Sequence, residues 1–158
     1  MIVRAFKKVQ ERRPDATLTF VGSALPGEAP WVVPDIPGLR KVGWTDDPYP
    51  IVASADLLVQ ASRREGFSMA VAEAILLGVR VIAVPNRGVR QIERRKIDGL
   101  LVVANDWRHL ADAMESCLAR SGPIDASSGL AESWSVEHAV GFHTDVILKT
   151  LEANPGTR

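Results

Sequence analysis

The sequence contains a single cysteine, Cys117, among 158 residues. One thiol allows neither an intrachain disulfide nor a cysteine-based zinc site, and a reducing, cytoplasmic compartment is expected. Net charge is lacking as well: 19 basic side chains balance 19 acidic ones, so the one-signed field that draws proteins to nucleic acid or acidic membrane surfaces is missing. No nucleic-acid partner is expected. No apolar run approaches the roughly 20 residues needed to span a bilayer, and the opening MIVRAFKKVQERR interrupts its apolar residues with charge, unlike a signal peptide. His109, His138 and His143 share no metal-ligand spacing, and no Ser or Cys sits in a nucleophile motif. Gly22-Ser23 lacks the further glycines of a dinucleotide loop. Neither a metal nor a cofactor is expected.

What the sequence does contain is an alternation of short elements. Apolar residues make up 46% of it, and a chain of this length buries about 70% of its unfolded surface, enough for one domain with its own core. Ile2, Val3, Phe6 and Val9 recur at helical spacing opposite Lys7, Lys8, Arg12 and Arg13, until Pro14-Asp15 ends the helix. An apolar stripe that starts at residue 2 normally follows an element it packs against, so a first strand is expected to be missing. ATLTFVG, LRKVGW, ADLLVQAS and VRVIAVP read as strands. Helices are expected at roughly 47–54, 68–78 and 106–120, with a shorter one near 88–96. Trp107, Leu110, Ala111, Met114, Cys117 and Leu118 form one stripe behind a capping Asn105 or Asp106, which makes Cys117 a core thiol. Val136, Val140, His143, Ile147 and Leu151 mark a last amphipathic helix. Because the strands are continuous apolar runs rather than alternating ones, the expected fold class is α/β, a Rossmann-like parallel sheet flanked by helices on both faces. The expected domain covers residues 1–150, with 151–158 as a flexible tail.

Two carboxylates stand out at one strand-to-helix junction, REGFSMAVAEAILLG. In open parallel sheets, ligands bind at the carboxyl ends of the strands. With a helix beginning near Ser68, the amides of Gly66, Phe67 and Ser68 sit at its positive end, a seat for phosphate. Glu65 precedes that seat. Glu73 lies about 7.5 Å further along the helix axis, and its helical neighbours Met69, Ala70, Leu76 and Leu77 offer no counter-charge. Burying an unpaired charge costs several kcal/mol, so a partner must come from elsewhere. That partner is either the pair of hydroxyls of a ribose or an Arg or Lys on another element, and in the second case Glu65 is a solvated loop residue. The first alternative places a sugar at each end of a pyrophosphate, the outline of a nucleotide sugar.

The stretch SRREGFSMAVAEAILLGVRVIAVPNRGVRQIERRKIDGLLV resembles the signature region of the retaining glycosyltransferases of family 4, or group 1, whose GT-B arrangement has two Rossmann-like domains. Glu65, Gly66, Phe67, Glu73, Ala74, Gly78, Val81 and Ile82 match its hallmark, and flanking segments extend the similarity over residues 1–150. The resemblance implies a UDP-, GDP- or ADP-sugar donor, with Glu73 on the ribose and Glu65 at the donor sugar as the catalytic group. The Gly66, Phe67 and Ser68 amides would lie near sugar and phosphate. The base would lie against Lys41, Val42, Gly43 and Trp44, and Gly22 and Ser23 would border the phosphate cleft. Transfer to an acceptor with retention of configuration follows from membership alone.

The departures are as informative as the matches. The family's domain opens with a strand and a G-R-x-x-x-x-K-G segment whose cations neutralise the pyrophosphate, and neither cation stands at that position here. The N-terminal acceptor domain has no counterpart either. The chain thus reads as the donor half of an enzyme, nearly inactive by itself, needing an N-terminal domain in cis or on another chain. Any membrane association would come through that half. Where the family has two adjacent glycines this chain has Arg87-Gly88, and Arg87 is a candidate replacement for the lost phosphate-binding charge. Two other readings stay open: a stand-alone nucleotide-sugar binding module without turnover, and another GT-B activity such as a sugar-nucleotide epimerase.

Overall fold

Five strands alternate with five helices: α1 (Ile2–Gln10), β1 (Leu18–Val21), β2 (Leu39–Gly43), α2 (Tyr49–Ala53), β3 (Leu57–Gln60), α3 (Met69–Leu76), β4 (Arg80–Ala83), α4 (Arg87–Glu93), β5 (Leu100–Val102) and α5 (Trp107–Leu118). The structure is a computed structural model, and it describes residues 1–24, 29, 32–63, 65–120 and 124. These all belong to one unit, Met1–Ile124. The helix expected over 136–151 and the tail lie outside the described residues.

Among the described residues each expected element forms, most with shorter ends, while α4 begins one residue earlier than expected. Of the two candidate caps for α5, Asp106 serves: its Oδ2 accepts from the amides of Arg108 and His109 at 3.2 and 3.4 Å. Asn86 does the same for α4, its Oδ1 accepting from Val89 N at 2.9 Å. Such oxygens satisfy amides that the first helical turn leaves without intrahelical partners.

All strand pairs are parallel, as continuous apolar runs require, but they form two ladders, β1–β2 and β3–β4–β5, rather than a single sheet. In the larger ladder Leu58 pairs with Val81, Val59 with Ile82 and Gln60 with Ala83. Val81, Ile82 and Ala83 are all 0% exposed, and successive strand residues point to opposite faces, so β4 is covered on both. On one face α1 and α5 meet over Ile82, with Ala5, Val9, Leu110, Ala111 and Met114 buried together and Leu57 and Val59 packed against them. On the other, α3 packs on β3 and β4 through its buried side, Val71, Ala72, Ala74 and Ile75. The expected α/β class, a Rossmann-like parallel arrangement flanked by helices, is what the chain adopts.

Cys117 is half-buried at the margin of the α1–α5 cluster rather than inside it. Burial pushes its thiol up, against a partial pull downward from Arg120 and Arg80. Among the described residues no helix is long and apolar enough to cross a membrane.

Desolvation acts to raise the Asp106 carboxyl. Hydrogen bonds from the His109 ring and from the His109 and Arg108 amides, together with the His109 charge, outweigh it and hold the group below its ordinary 3.8. A carboxyl lowered by folding contributes stability that is present above its unfolded value and lost as pH falls through its folded value. Asp106→Asn should therefore make stability less steep in acid: chemical denaturation from pH 7 to below about pH 4 should show the wild type losing more stability than the variant.

Candidate functional site

The loop joining β3 to α3 is held by ties from the end of β3 and from the cap of α4. Gln60 closes β3, and its carbonyl accepts from Val84 N at 2.9 Å, so its backbone is part of the β3–β4 ladder. Its side-chain Nε2 donates to Glu65 Oε1 at 2.5 Å and to Ser68 Oγ at 3.3 Å. Ser68 is the N-cap of α3 and is 1% exposed, yet its hydroxyl makes no capping bond and instead receives the Gln60 amide. From the β4 side, Asn86 Nδ2 donates to Ser62 O at 2.9 Å, while its Oδ1 caps α4. Gly88, in the first turn of α4, lies so close that an added Cβ would sit 2.8 Å from Ser68 N and 3.0 Å from Phe67 Cα. The amino ends of α3 and α4 therefore abut, with Glu65 beside them.

Glu65 is half-buried, not a solvated loop residue. Its Oε1 is engaged by Gln60, and its Oε2 is buried with no hydrogen-bond partner, the one buried side-chain atom among the described residues in that condition. Leaving such an acceptor unmet costs about 1–3 kcal/mol. Buried polar atoms are nearly always satisfied, so an exception marks a place where a partner is due.

Glu73 sits differently from expectation. Its neighbours Met69, Leu76 and Leu77 are apolar but 58%, 40% and 39% exposed, so the carboxylate is half-buried rather than enclosed by them. The physical reason is the orientation of α3, which turns its small and branched side to the sheet and leaves the Glu73 stripe outward. The hydroxyl of Tyr49, on α2, donates to Glu73 Oε1 at 3.5 Å, the outer limit of a hydrogen bond. Among the described residues no Lys or Arg forms an ion pair with it.

The remaining sequence-named residues lie at the carboxyl ends of the other ladder or on α4. Gly22 follows β1 and Gly43 closes β2, with φ of 114° and 85°, a left-handed conformation that favours glycine, and Gly22 N donates to Gly43 O at 2.6 Å. Ser23, Lys41 and Val42 are exposed beside them, and Trp44 is 75% exposed. Arg87 opens α4 with an exposed side chain. The structure thus gathers Glu65, Phe67, Ser68 and Gly88 around one point and Gly22, Gly43 and Trp44 around another. Gln60, Asn86 and Tyr49 escaped sequence reasoning. Gln60 carried a faint signal, a long polar side chain ending an apolar strand, and Asn86 a stronger one, a cap-type residue just ahead of a helix. No group of His, Cys, Asp and Glu that would hold a metal occurs among the described residues. A cavity of about 620 Å³ is lined by Met1, Val3, Arg4, Phe20, Ala61 and Arg63 among others, without Glu65.

Parallel strands alternating with helices that cover them on both sides define a Rossmann-like α/β domain. The family profile described as glycosyl transferases group 1 matches residues 1–120, and the chain belongs to that family. It is similar to the lipopolysaccharide core biosynthesis glycosyltransferase LpsE of Rhizobium meliloti (strain 1021), with 26% identity over 134 residues, 75% of this chain and 39% of that protein. The chain therefore spans well under two thirds of that relative's length.

Gly88→Ala should force the Phe67–Ser68 backbone to move, costing about 1–3 kcal/mol as overpacking does. Gly66→Ala, with nothing within 4 Å of an added Cβ, should stay within about 0.5 kcal/mol of the wild type. Urea denaturation of the two variants, with the Phe67 and Ser68 amide resonances as local reporters, checks this contrast.

Proposed function

We propose that this chain is the donor-binding half of a glycosyltransferase. It holds a UDP-, GDP- or ADP-sugar in the cytoplasm while the glycosyl group passes to an acceptor with retention of configuration. The observation that carries this reading is the unmet Oε2 of Glu65 beside the amino end of α3, in a chain of the group 1 glycosyl transferase family. A sugar hydroxyl that took up this oxygen would relieve its cost. The carboxylate would also oppose the positive charge that develops on the sugar ring as the nucleoside diphosphate departs. The oxygen is enclosed in the ligand-free chain, so the donor reaches it by displacing loop side chains.

The other roles follow from the same placement. The Gly66, Phe67 and Ser68 amides at the amino end of α3 suit phosphate, with Arg87 adding positive charge from the start of α4. Glu73 exchanges its long contact with Tyr49 for two ribose hydroxyls at ordinary hydrogen-bond distance. Gly22 and Ser23 border the pyrophosphate, and the base lies against Lys41, Val42, Gly43 and Trp44. No metal is invoked.

Turnover needs a further domain, in cis or on another chain, that brings the acceptor and closes over the donor to exclude water. The split sheet supports more protein ahead of α1 in the complete enzyme. A parallel strand leading into α1 and on to β1 by a right-handed crossover would lie along the edge of β1 that β2 does not occupy. Placed between β1 and β3, it would join the two ladders into the strand order usual for doubly wound sheets. The cavity lined by Met1, Phe20 and Ala61 lies on that path.

Thermal-shift titration against UDP, GDP and ADP should show stabilisation by one of them, and no response to any would overturn the reading. By calorimetry, Glu73→Ala should weaken that nucleotide about tenfold, the loss of a charged hydrogen-bonding partner; an unchanged affinity removes the ribose role. In enzyme reconstituted with its N-terminal half, Glu65→Ala should lower kcat far more than it raises KM.

A further inference from the structure

We propose that Gln60 is a positioning residue for Glu65: it engages one carboxylate oxygen from a strand and so determines that Oε2 is the oxygen left for the donor sugar. This rests on the donor-binding reading above and adds to it a residue that lies outside the family's glutamate motif.

Four observations carry it. Glu65 belongs to a loop, and a loop carboxylate by itself has rotamer freedom that a binding site must remove. Gln60 is the last residue of a strand whose carbonyl is bonded to Val84 N at 2.9 Å, so it is the fixed member of the pair. Its amide nitrogen has two protons and both have acceptors, Glu65 Oε1 at 2.5 Å and Ser68 Oγ at 3.3 Å. One side chain thereby ties the catalytic carboxylate and the cap of α3 to the ladder. The partner oxygen Oε2 has nothing.

The chemistry of the tie is directional. An amide nitrogen only donates, so it holds an ionised carboxylate without competing for the hydroxyl proton that the free oxygen is to accept. Leucine at this position would fill similar space with no donor. Glutamate would keep the shape and present a second carboxylate to the first, which repels it. A residue that only fills space tolerates Glu and Leu alike, whereas a positioning residue ranks them.

The test uses the 158-residue chain with UDP and UDP-glucose, GDP and GDP-mannose, and ADP and ADP-glucose, as calorimetric probes. Gln60→Leu should weaken the sugar nucleotide that binds by about tenfold while leaving the matching nucleoside diphosphate within about twofold, the loss of one oriented hydrogen bond to the sugar. Gln60→Glu should weaken it further. In a Glu65→Ala background Gln60→Leu should have almost no additional effect, since its action runs through that carboxylate. Equal losses for both ligands, no ranking of Leu and Glu, or additive losses in the double variant would each overturn the proposal. The ligand-free chain supplies an independent reading: one Gln60 side-chain amide proton should be shifted downfield and slow to exchange, and Glu65→Ala should abolish both features. If none of the three sugar nucleotides binds the wild type, the donor reading fails. Loss of the amide signature would then still uphold Gln60 as the residue that sets the carboxylate, and an unchanged signature would overturn it.

Discussion

Burial of β4 on both of its faces is the constraint on which the rest of the structure depends. Val81, Ile82 and Ala83 have no exposed surface, so helices must lie on either side and every backbone group must be paired within the ladder. Such a strand leaves its neighbours no choice of register. A slip of β3 by one residue would exchange its faces, turning Leu57 and Val59 away from the α1–α5 cluster and Gln60 away from the loop that it holds. With the register set, β3 and β4 end level. Gln60 and Asn86 then stand at neighbouring points, from which they tie the loop at Glu65, Ser68 and Ser62.

The site that results divides its work between rigid and adjustable parts. A strand end and a helix cap carry the residues that hold, and the loop carries the carboxylate that is held. Gly88 contributes by having no side chain, because the amino ends of α3 and α4 meet where a Cβ would intrude. The proposed ligand suits this division: helix amino ends favour phosphate, and carboxylates favour the hydroxyls of sugars on either side of it. A chain with balanced charge is thereby compatible with an anionic ligand, since the local dipoles and not the overall field would receive it.

Membership of the group 1 glycosyl transferases rests on a match along most of the chain, and the two glutamates with their flanks are legible in the sequence itself. Their surroundings were not. The apolar neighbours of Glu73 suggested a carboxylate shut in oil, but those neighbours face outward and Tyr49 shares the position. Glu65, which on one reading was a loop residue in water, is the better enclosed of the two in its hydrogen bonding, with one oxygen held and the other unmet.

The amino-acid sequence by itself determined the kind and order of the elements, the start of α3 next to Ser68, a cap for α5 at Asn105 or Asp106 and the parallel class of the strands. Those properties are local. Periodicity, a capping oxygen and a continuous apolar run act within one or two turns of chain, and a reader of the sequence sees every participant at once. Tertiary structure alone decided that the strands divide into two ladders, that α3 turns Glu73 outward, that Gln60 rather than a solvent molecule meets Glu65, and that Gly88 touches Ser68. Each of these depends on how far a side chain reaches once the elements have packed, and packing distance leaves no periodic trace in the sequence.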